Sequence, residues 1–352
     1  MSFLVAAGIS LAASLVVLPP LITMLRRRKL GFAVRSEGPQ AHLGKSGTPT
    51  MGGISIIVCT VLGYIGAHLA LGTGPTASAI LIIFLMAGLG IVGAIDDLIK
   101  LYMRRSLGLR SSMKLVLQCA IGVPFAIIGM HFANADGIIP ISERLSFAQD
   151  IGPSIGPVFT VIWILLIVVY TSNAVNLTDG LDGLATCSVA FFAAAYIFIG
   201  IWEFNFACRR EAVAGCYVTR DPLDVALLAA AILGACLGFL WWNGPPAKIF
   251  MGDTGSLALG GAMAGLAITT HTELIAAILA GLNAIITLSV VSQVGYYKLA
   301  HKRLFRMAPL QHHFELEGWA ETTIVVRFMI IQAVFIGIGI ALFISALSPS
   351  YY

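Results

Sequence analysis

Five short stretches of this chain place carboxylates, glycines, hydroxyls and cations where apolar residues would otherwise continue. Residues 45–53 (KSGTPTMGG) set glycines beside hydroxyls and Lys45, which can bring backbone N–H groups and a cation to a phosphate. Glycine and proline also punctuate ordinary helix starts. Asp96 and Asp97 end a long apolar run, with Lys100 one turn later. Carboxylates at a helix C-terminus are opposed by the macrodipole, so a metal or the nearby Lys100, Arg104 and Arg105 should compensate them. Successive helical side chains point about 100° apart, so the two aspartates are expected to do different jobs.

Residues 173–185 (NAVNLTDGLDGLA) interrupt two apolar runs with Asn176, Asp179 and Asp182 and the flexible Gly180 and Gly183. If this stretch is helical, Asp179 and Asp182 share one face at i and i+3, one turn after Asn176. Residues 243–256 (NGPPAKIFMGDTGS) hold Asp253 between Gly252 and Gly255. A helix cap explains the aspartate but not the glycines on both sides. Residues 308–315 (APLQHHFE) lie in a basic loop with Lys302, Arg303 and Arg306. Adjacent histidines are poor zinc spacing, whereas histidine among cations suits phosphate binding or acid–base work.

The elements that position these stretches are spans of a membrane protein. Only 11% of residues are charged, 58% are hydrophobic and mean hydropathy is +0.93, against roughly 25% charged in soluble domains. A bilayer crossing needs about 20 apolar residues. The pattern predicts ten spans near 3–24, 51–71, 77–95, 114–131, 156–175, 184–203, 224–242, 255–270, 274–297 and 325–346. The expected fold is an all-α bundle forming a single polytopic transmembrane domain over 1–352, its first span retained. Loops after odd-numbered spans carry 17 of the 21 Lys and Arg residues. By the positive-inside rule those loops are cytoplasmic and both termini lie outside. Outside, residues 131–155 contain GIIPIS (137–142), a possible short hairpin. Cys208 and Cys216 share one external loop and could pair there. Cys59, Cys119, Cys187 and Cys236 fall inside apolar spans.

All five polar stretches then meet at the cytoplasmic face, as one carboxylate-rich, glycine-rich and basic-rimmed cleft. That combination suggests Mg²⁺, which takes one or two carboxylates plus phosphates and water, with a phosphorylated water-soluble substrate. A membrane enzyme so equipped would join a nucleotide-activated compound to a lipid phosphate. Basic loops also attract anionic headgroups.

With TPTMGG (48–53), DD (96–97), NAVNLTDGLDGLA (173–185), FMGDTGSL (250–257) and APLQHHFE (308–315), the whole chain resembles the phospho-N-acetylmuramoyl-pentapeptide transferases. These belong to the polyprenyl-phosphate N-acetylhexosamine-1-phosphate transferase superfamily. The resemblance implies transfer from UDP-MurNAc-pentapeptide to undecaprenyl phosphate, giving lipid I and UMP in peptidoglycan synthesis. It further implies Mg²⁺, the bacterial cytoplasmic membrane and a homodimer, with no nucleic-acid partner. Carried over by motif, Asp253 is the principal Mg²⁺ ligand, Asp96 the base for the lipid phosphate, and Asp97 a support for metal or lipid phosphate. Asn176, Asp179 and Asp182 line the nucleotide pocket, with Gly180, Leu181, Asp182 and Phe250 around the uracil. Lys45, Thr50, Lys114 and Asn243 contact phosphates or sugar, and His312 and His313 the phosphates or the sugar-peptide portion. Many members have a third histidine where this chain has Gln311, so a neutral amide takes that place among the substrate contacts and an aspartate is favoured as base. Direct attack by the lipid phosphate is expected, with a covalent aspartyl route as the other mechanism. A UDP-GlcNAc-type lipid transferase and a membrane transporter are the competing functions. Transporter sites lie near the bilayer midplane, where none of these aspartates falls.

Overall fold

The structure is a computed structural model describing residues 2–28, 45, 47–103, 108–208, 210 and 216–346. Its helices are α1 (Ser2–Arg27), α2 (Gly53–Leu71), α3 (Ala77–Tyr102), α4 (Ser111–His131), α5 (Pro157–Thr178), α6 (Leu184–Asn205), α7 (Pro222–Asn243), α8 (Gly252–Thr269), α9 (Glu273–Leu279), α10 (Gly281–Ala300), α11 (Leu310–Leu316) and α12 (Glu321–Ser345). Proline opens α5 and α7, where its missing N–H has no helical partner to lose. A left-handed Gly72 closes α2, the conformation that glycine adopts without a Cβ penalty.

Each of the ten expected segments is helical, but the membrane spans divide differently. Among the described residues eight helices, α1 to α7 and α12, are long and apolar enough to cross a bilayer, and a bent α9–α10 pair makes nine at most. The expected span at 255–270 is α8, in which every residue from Thr254 to Thr269 is buried. It is a central post rather than a lipid-facing helix. Its glycines and alanines lower its hydropathy and let neighbours approach closely, the way small residues pack helices inside membranes. A methyl on Gly260 would lie 2.4 Å from the Ser172 Cα of α5, and one on Gly53 of α2 would lie 2.1 Å from the Gly255 Cα. A methyl on Gly93 of α3 would lie 2.1 Å from the Asp253 carbonyl oxygen. The α3–α8 crossing therefore sets where Asp253 stands.

The single helix expected over 274–297 is instead broken, with α9 and α10 meeting at 82°. Buried Gln332 of α12 spans the break: its Nε2 donates to the Leu279 carbonyl at 2.8 Å and its Oε1 accepts from Leu282 N at 3.3 Å. Backbone groups freed by a helix break inside a bilayer need such partners.

At the end of the bundle away from the five polar stretches, a short antiparallel ribbon pairs β1 (Leu145–Ser146) with β2 (Asp150–Ile151). The GIIPIS segment at 137–142 is not part of it. Gly137 closes a turn from Asn134, Pro140 lies in a later bend, and the pairing begins only after Arg144. Cys208 and Cys216 form a disulfide beside the bridge between Ala207 and Tyr217. The four cysteines of the apolar helices are free thiols.

We expect Gly93→Ala to separate α3 from α8, costing about 1–3 kcal/mol by overpacking. Thermal unfolding in detergent should show the loss, and turnover should fall further than stability alone accounts for.

Candidate active site

Asp97, in the last turns of α3, is almost fully buried and points at the start of α8. Its Oδ2 accepts from the Thr254 N at 2.9 Å and the Thr254 hydroxyl at 2.7 Å, while its Oδ1 accepts from the Asp253 N at 3.1 Å. An α-helix begins with N–H groups that lack partners, and here a carboxylate from another helix satisfies two of them. Gly252 adopts φ +72°, and a Cβ there would lie 2.6 Å from Asp97 Oδ2 and 2.9 Å from Thr50 Oγ1. Glycine is what lets the chain turn into α8 against this carboxylate.

Asp253 is thereby aimed back at α3. Its carboxyl shares two lysines with that of Asp96, and they neutralise the pair. Lys100 Nζ lies 2.6 Å from Asp96 Oδ2 and 3.0 Å from Asp253 Oδ1. Lys114, from the first turn of α4, pairs with Asp253 Oδ2 and stands 3.9 Å from Asp96 Oδ2. Asp96 Oδ1 accepts from Leu109 N at 2.6 Å. Arg104 and Arg105, the other expected counter-ions, lie outside the described residues.

The stretch between α5 and α6 is a loop rather than a helix, so Asp179 and Asp182 do not share a helical face. Asp182 turns inward: its Oδ1 binds Lys45 Nζ and its Oδ2 accepts from Ala247 N, at 2.7 and 2.9 Å. Lys45 Nζ also reaches both Glu321 carboxylate oxygens, at 2.7 and 2.8 Å. Burial works against the charge on Lys45, but hydrogen bonds and charge from Asp182 and Glu321 outweigh it and hold its pKa above the ordinary lysine value. Asp179 is half-buried. Burial first, then the negative Asp253, Asp97 and Asp182, push its carboxyl up to about 8.

The remaining expected residues split between the cleft and its frame. Asn243 is buried, with its oxygen accepting from Gly183 N at 3.2 Å and Thr186 Oγ1 at 2.9 Å and its amide donating to the Ile249 carbonyl at 3.0 Å. It ties the 179–183 loop to the segment before α8. Leu181 is packed in a cluster with Leu184 and Phe328. Asn176 donates to Ser256 Oγ at 2.8 Å. Gln311 is fully buried and donates to the Leu177 carbonyl at 2.9 Å. A Cβ on Gly180 would lie 2.6 Å from Gln311 Nε2 and 3.0 Å from His312 Nε2, so α11 leans directly on the loop. His312 Nδ1 is 2.6 Å from Glu315 Oε2, and His313 Nδ1 accepts from Arg306 N at 3.2 Å. Buried Thr50 and half-buried Phe250 flank the same opening, bound through Phe250 N to the Pro49 carbonyl at 2.8 Å. Glu321 and Glu315 were missed by sequence reasoning. The available signal for Glu321 was an acid opening the last span on the basic side of the membrane.

Residues 79–271 match the family described as glycosyl transferase family 4, and residues 45–57 match a phospho-N-acetylmuramoyl-pentapeptide-transferase signature. A phospho-N-acetylmuramoyl-pentapeptide-transferase of Thermobifida fusca is 57% identical over 338 residues, 96% of each chain. The chain belongs to the phospho-N-acetylmuramoyl-pentapeptide-transferase family. Relatives of that name from Streptomyces avermitilis and Streptomyces griseus are 53% and 52% identical, over 95% and 97% of both chains. As a member of this transferase family the chain is a multi-pass membrane enzyme, and the transporter reading falls away. The signature at 45–57 covers Lys45, Thr50 and the glycines that begin α2.

Because Asp179 keeps its proton to about 8, the folded chain binds a proton that the unfolded chain releases above the ordinary carboxylate value. Folded-state stability should therefore fall as pH rises across that window and level off above it. Asp179→Asn should lack this component, which melting curves in detergent from about pH 5 to about pH 9 would show as a flatter profile.

Proposed function

We propose that this chain transfers phospho-MurNAc-pentapeptide from UDP-MurNAc-pentapeptide to undecaprenyl phosphate, releasing UMP and leaving lipid I in the bacterial cytoplasmic membrane. The observation that carries the reading is the meeting of Asp96, Asp253, Lys100 and Lys114 beside the Lys45–Asp182 pair, in a chain of this family. Identity of 57% across 96% of each chain to a transferase of that name supports this substrate over a UDP-GlcNAc donor. The Lys and Arg bias of the connecting loops supports a cytoplasmic cleft, and the family resemblance supports a homodimer.

The residues present fit Mg²⁺. Among the described residues no three His, Cys, Asp or Glu side chains form a ready cage. Asp253 nonetheless sets a carboxylate at the cleft beside Asp96, an oxygen donor that a cation can use once Lys100 and Lys114 turn to phosphate oxygens. Magnesium is commonly held by one or two carboxylates with phosphates and water completing its shell. Asp253 would be its principal holder, and when bound it would neutralise charge on the diphosphate.

The remaining chemistry belongs to the side chains. Lys45, Lys100 and Lys114 turn N–H groups toward the diphosphate. Asp96, held by Leu109 N and Lys100, takes a proton from the lipid phosphate. A lipid phosphate oxygen then forms a bond to the β-phosphorus while the bond to the bridging oxygen breaks, and UMP leaves with that electron pair. Such transfers depend on positioning and charge neutralisation more than on covalent help. Asp97 serves from behind, by fixing the backbone that carries Asp253. His312, oriented by Glu315, faces the sugar-peptide side, and Phe250 the uracil.

Asp253→Asn should reduce UMP release from UDP-MurNAc-pentapeptide by at least about a thousandfold, the scale of losing a central electrostatic group. Near-normal turnover would remove Asp253 from the centre of the site. Chelation by EDTA should abolish turnover of the wild type, and added Mg²⁺ should restore it.

A further inference from the structure

Lys45 has three ammonium protons to give. They go to Asp182 Oδ1, Glu321 Oε1 and Glu321 Oε2, at 2.7, 2.7 and 2.8 Å. Glu321 Oε1 also accepts from the backbone N of Asp182 at 2.9 Å. One carboxylate at the first residue of α12 therefore grips both a cation of the cleft and the loop beside it. Through Asp182 Oδ2 and Ala247 N, the same chain of contacts reaches the segment leading into α8.

An acidic residue in the first turn of a helix has an ordinary explanation, because it complements the macrodipole. That explanation accounts for neither the two bonds to Lys45 nor the bond to Asp182 N. Lysine loses much rotamer freedom when it is held in one place, and a group already held loses less when a ligand arrives. The Lys45 side chain is only 22% exposed, as is that of Glu321, so the pair forms a wall of the cleft rather than a surface contact.

We propose that Glu321 is a positioning residue for the nucleotide substrate, acting through Lys45 and the 179–183 loop. It touches no reacting atom. It aims the ammonium before the diphosphate arrives, and one of its two oxygens yields a proton of Lys45 to a phosphate oxygen on binding. This role rests on the reading of the cleft as a UDP-sugar site.

The test is steady-state kinetics of the full-length enzyme in detergent, with each substrate varied in turn. Glu321→Ala should raise KM for UDP-MurNAc-pentapeptide about tenfold or more, the scale of one hydrogen bond to a charged group. Its kcat should stay within about threefold and its KM for undecaprenyl phosphate should not change. Glu321→Gln, which retains the shape and one acceptor, should recover part of the loss. On a Lys45→Ala background the same Glu321→Ala change should add less than about twofold, because groups acting as a unit are not additive. An unchanged nucleotide KM in Glu321→Ala would overturn the role. So would an equal factor in both backgrounds, or a matched loss for both substrates that tracks melting temperature. If Glu321→Ala fails to fold, Glu321→Gln carries the same comparison. Calorimetric binding of UDP reads the role without turnover. A wild type that binds UDP, with weaker binding in Glu321→Ala, but releases no UMP from the sugar nucleotide would overturn the transferase reading and leave the positioning role standing.

Discussion

The site depends on one carboxylate that never needs to meet a substrate. Asp97 closes the N-terminus of α8 from across the α3–α8 crossing, with three contacts of 2.7 to 3.1 Å to Asp253 N, Thr254 N and the Thr254 hydroxyl. Hydrogen bonds to an ionised acceptor are about twice as strong as neutral ones, and burial of Asp97 and Thr254 makes their contacts costly to leave unmade. The crossing holds because Gly93 leaves the Asp253 carbonyl room to approach. Helix packing and capping thus share one location, and the Asp253 carboxylate hangs from it.

Charge balance follows from that geometry. With Asp97 committed to backbone, the two carboxyls left at this end of the cleft are those of Asp96 and Asp253, which share Lys100 and Lys114. Two like charges in a low-dielectric setting repel strongly, which is why Lys100 and Lys114 converge on them. On the other side of the cleft the signs alternate again, with Lys45 between Asp182 and Glu321. The two halves resemble each other in logic: each uses lysine to make buried acids tolerable, and each leaves its lysine donors where phosphate oxygens can compete for them.

Much of this was readable from the chain alone where the message was local. Asp253 between two glycines, Asp96 and Asp97 at the end of an apolar run, and the carboxylates of the 173–185 stretch all broke a pattern that composition had established. What could not be read was which partner each group takes. Asp97 looked like a candidate for metal or lipid phosphate because its partners stand 156 and 157 residues away. Asn243 and Gln311 looked like ligand contacts, yet their contacts are made to Gly183, Thr186, Ile249 and Leu177 within the frame. Glu321 escaped notice because its local setting, the first turn of a helix, is one where acids are ordinary. The span at 255–270 was legible as a helix but not as a central post, since hydropathy does not separate facing lipid from facing other helices.

The elbow between α9 and α10 has a consequence for how the molecule can move. A break in a span is the usual place to look for a hinge, because its peptide groups have lost their helical partners. Here a single amide from α12 takes up both loose ends, one as donor and one as acceptor. Opening the angle would strip both groups at once in surroundings with no water to replace Gln332. The elbow is a riveted corner, and any flexing of the protein near the bilayer has to be found somewhere else.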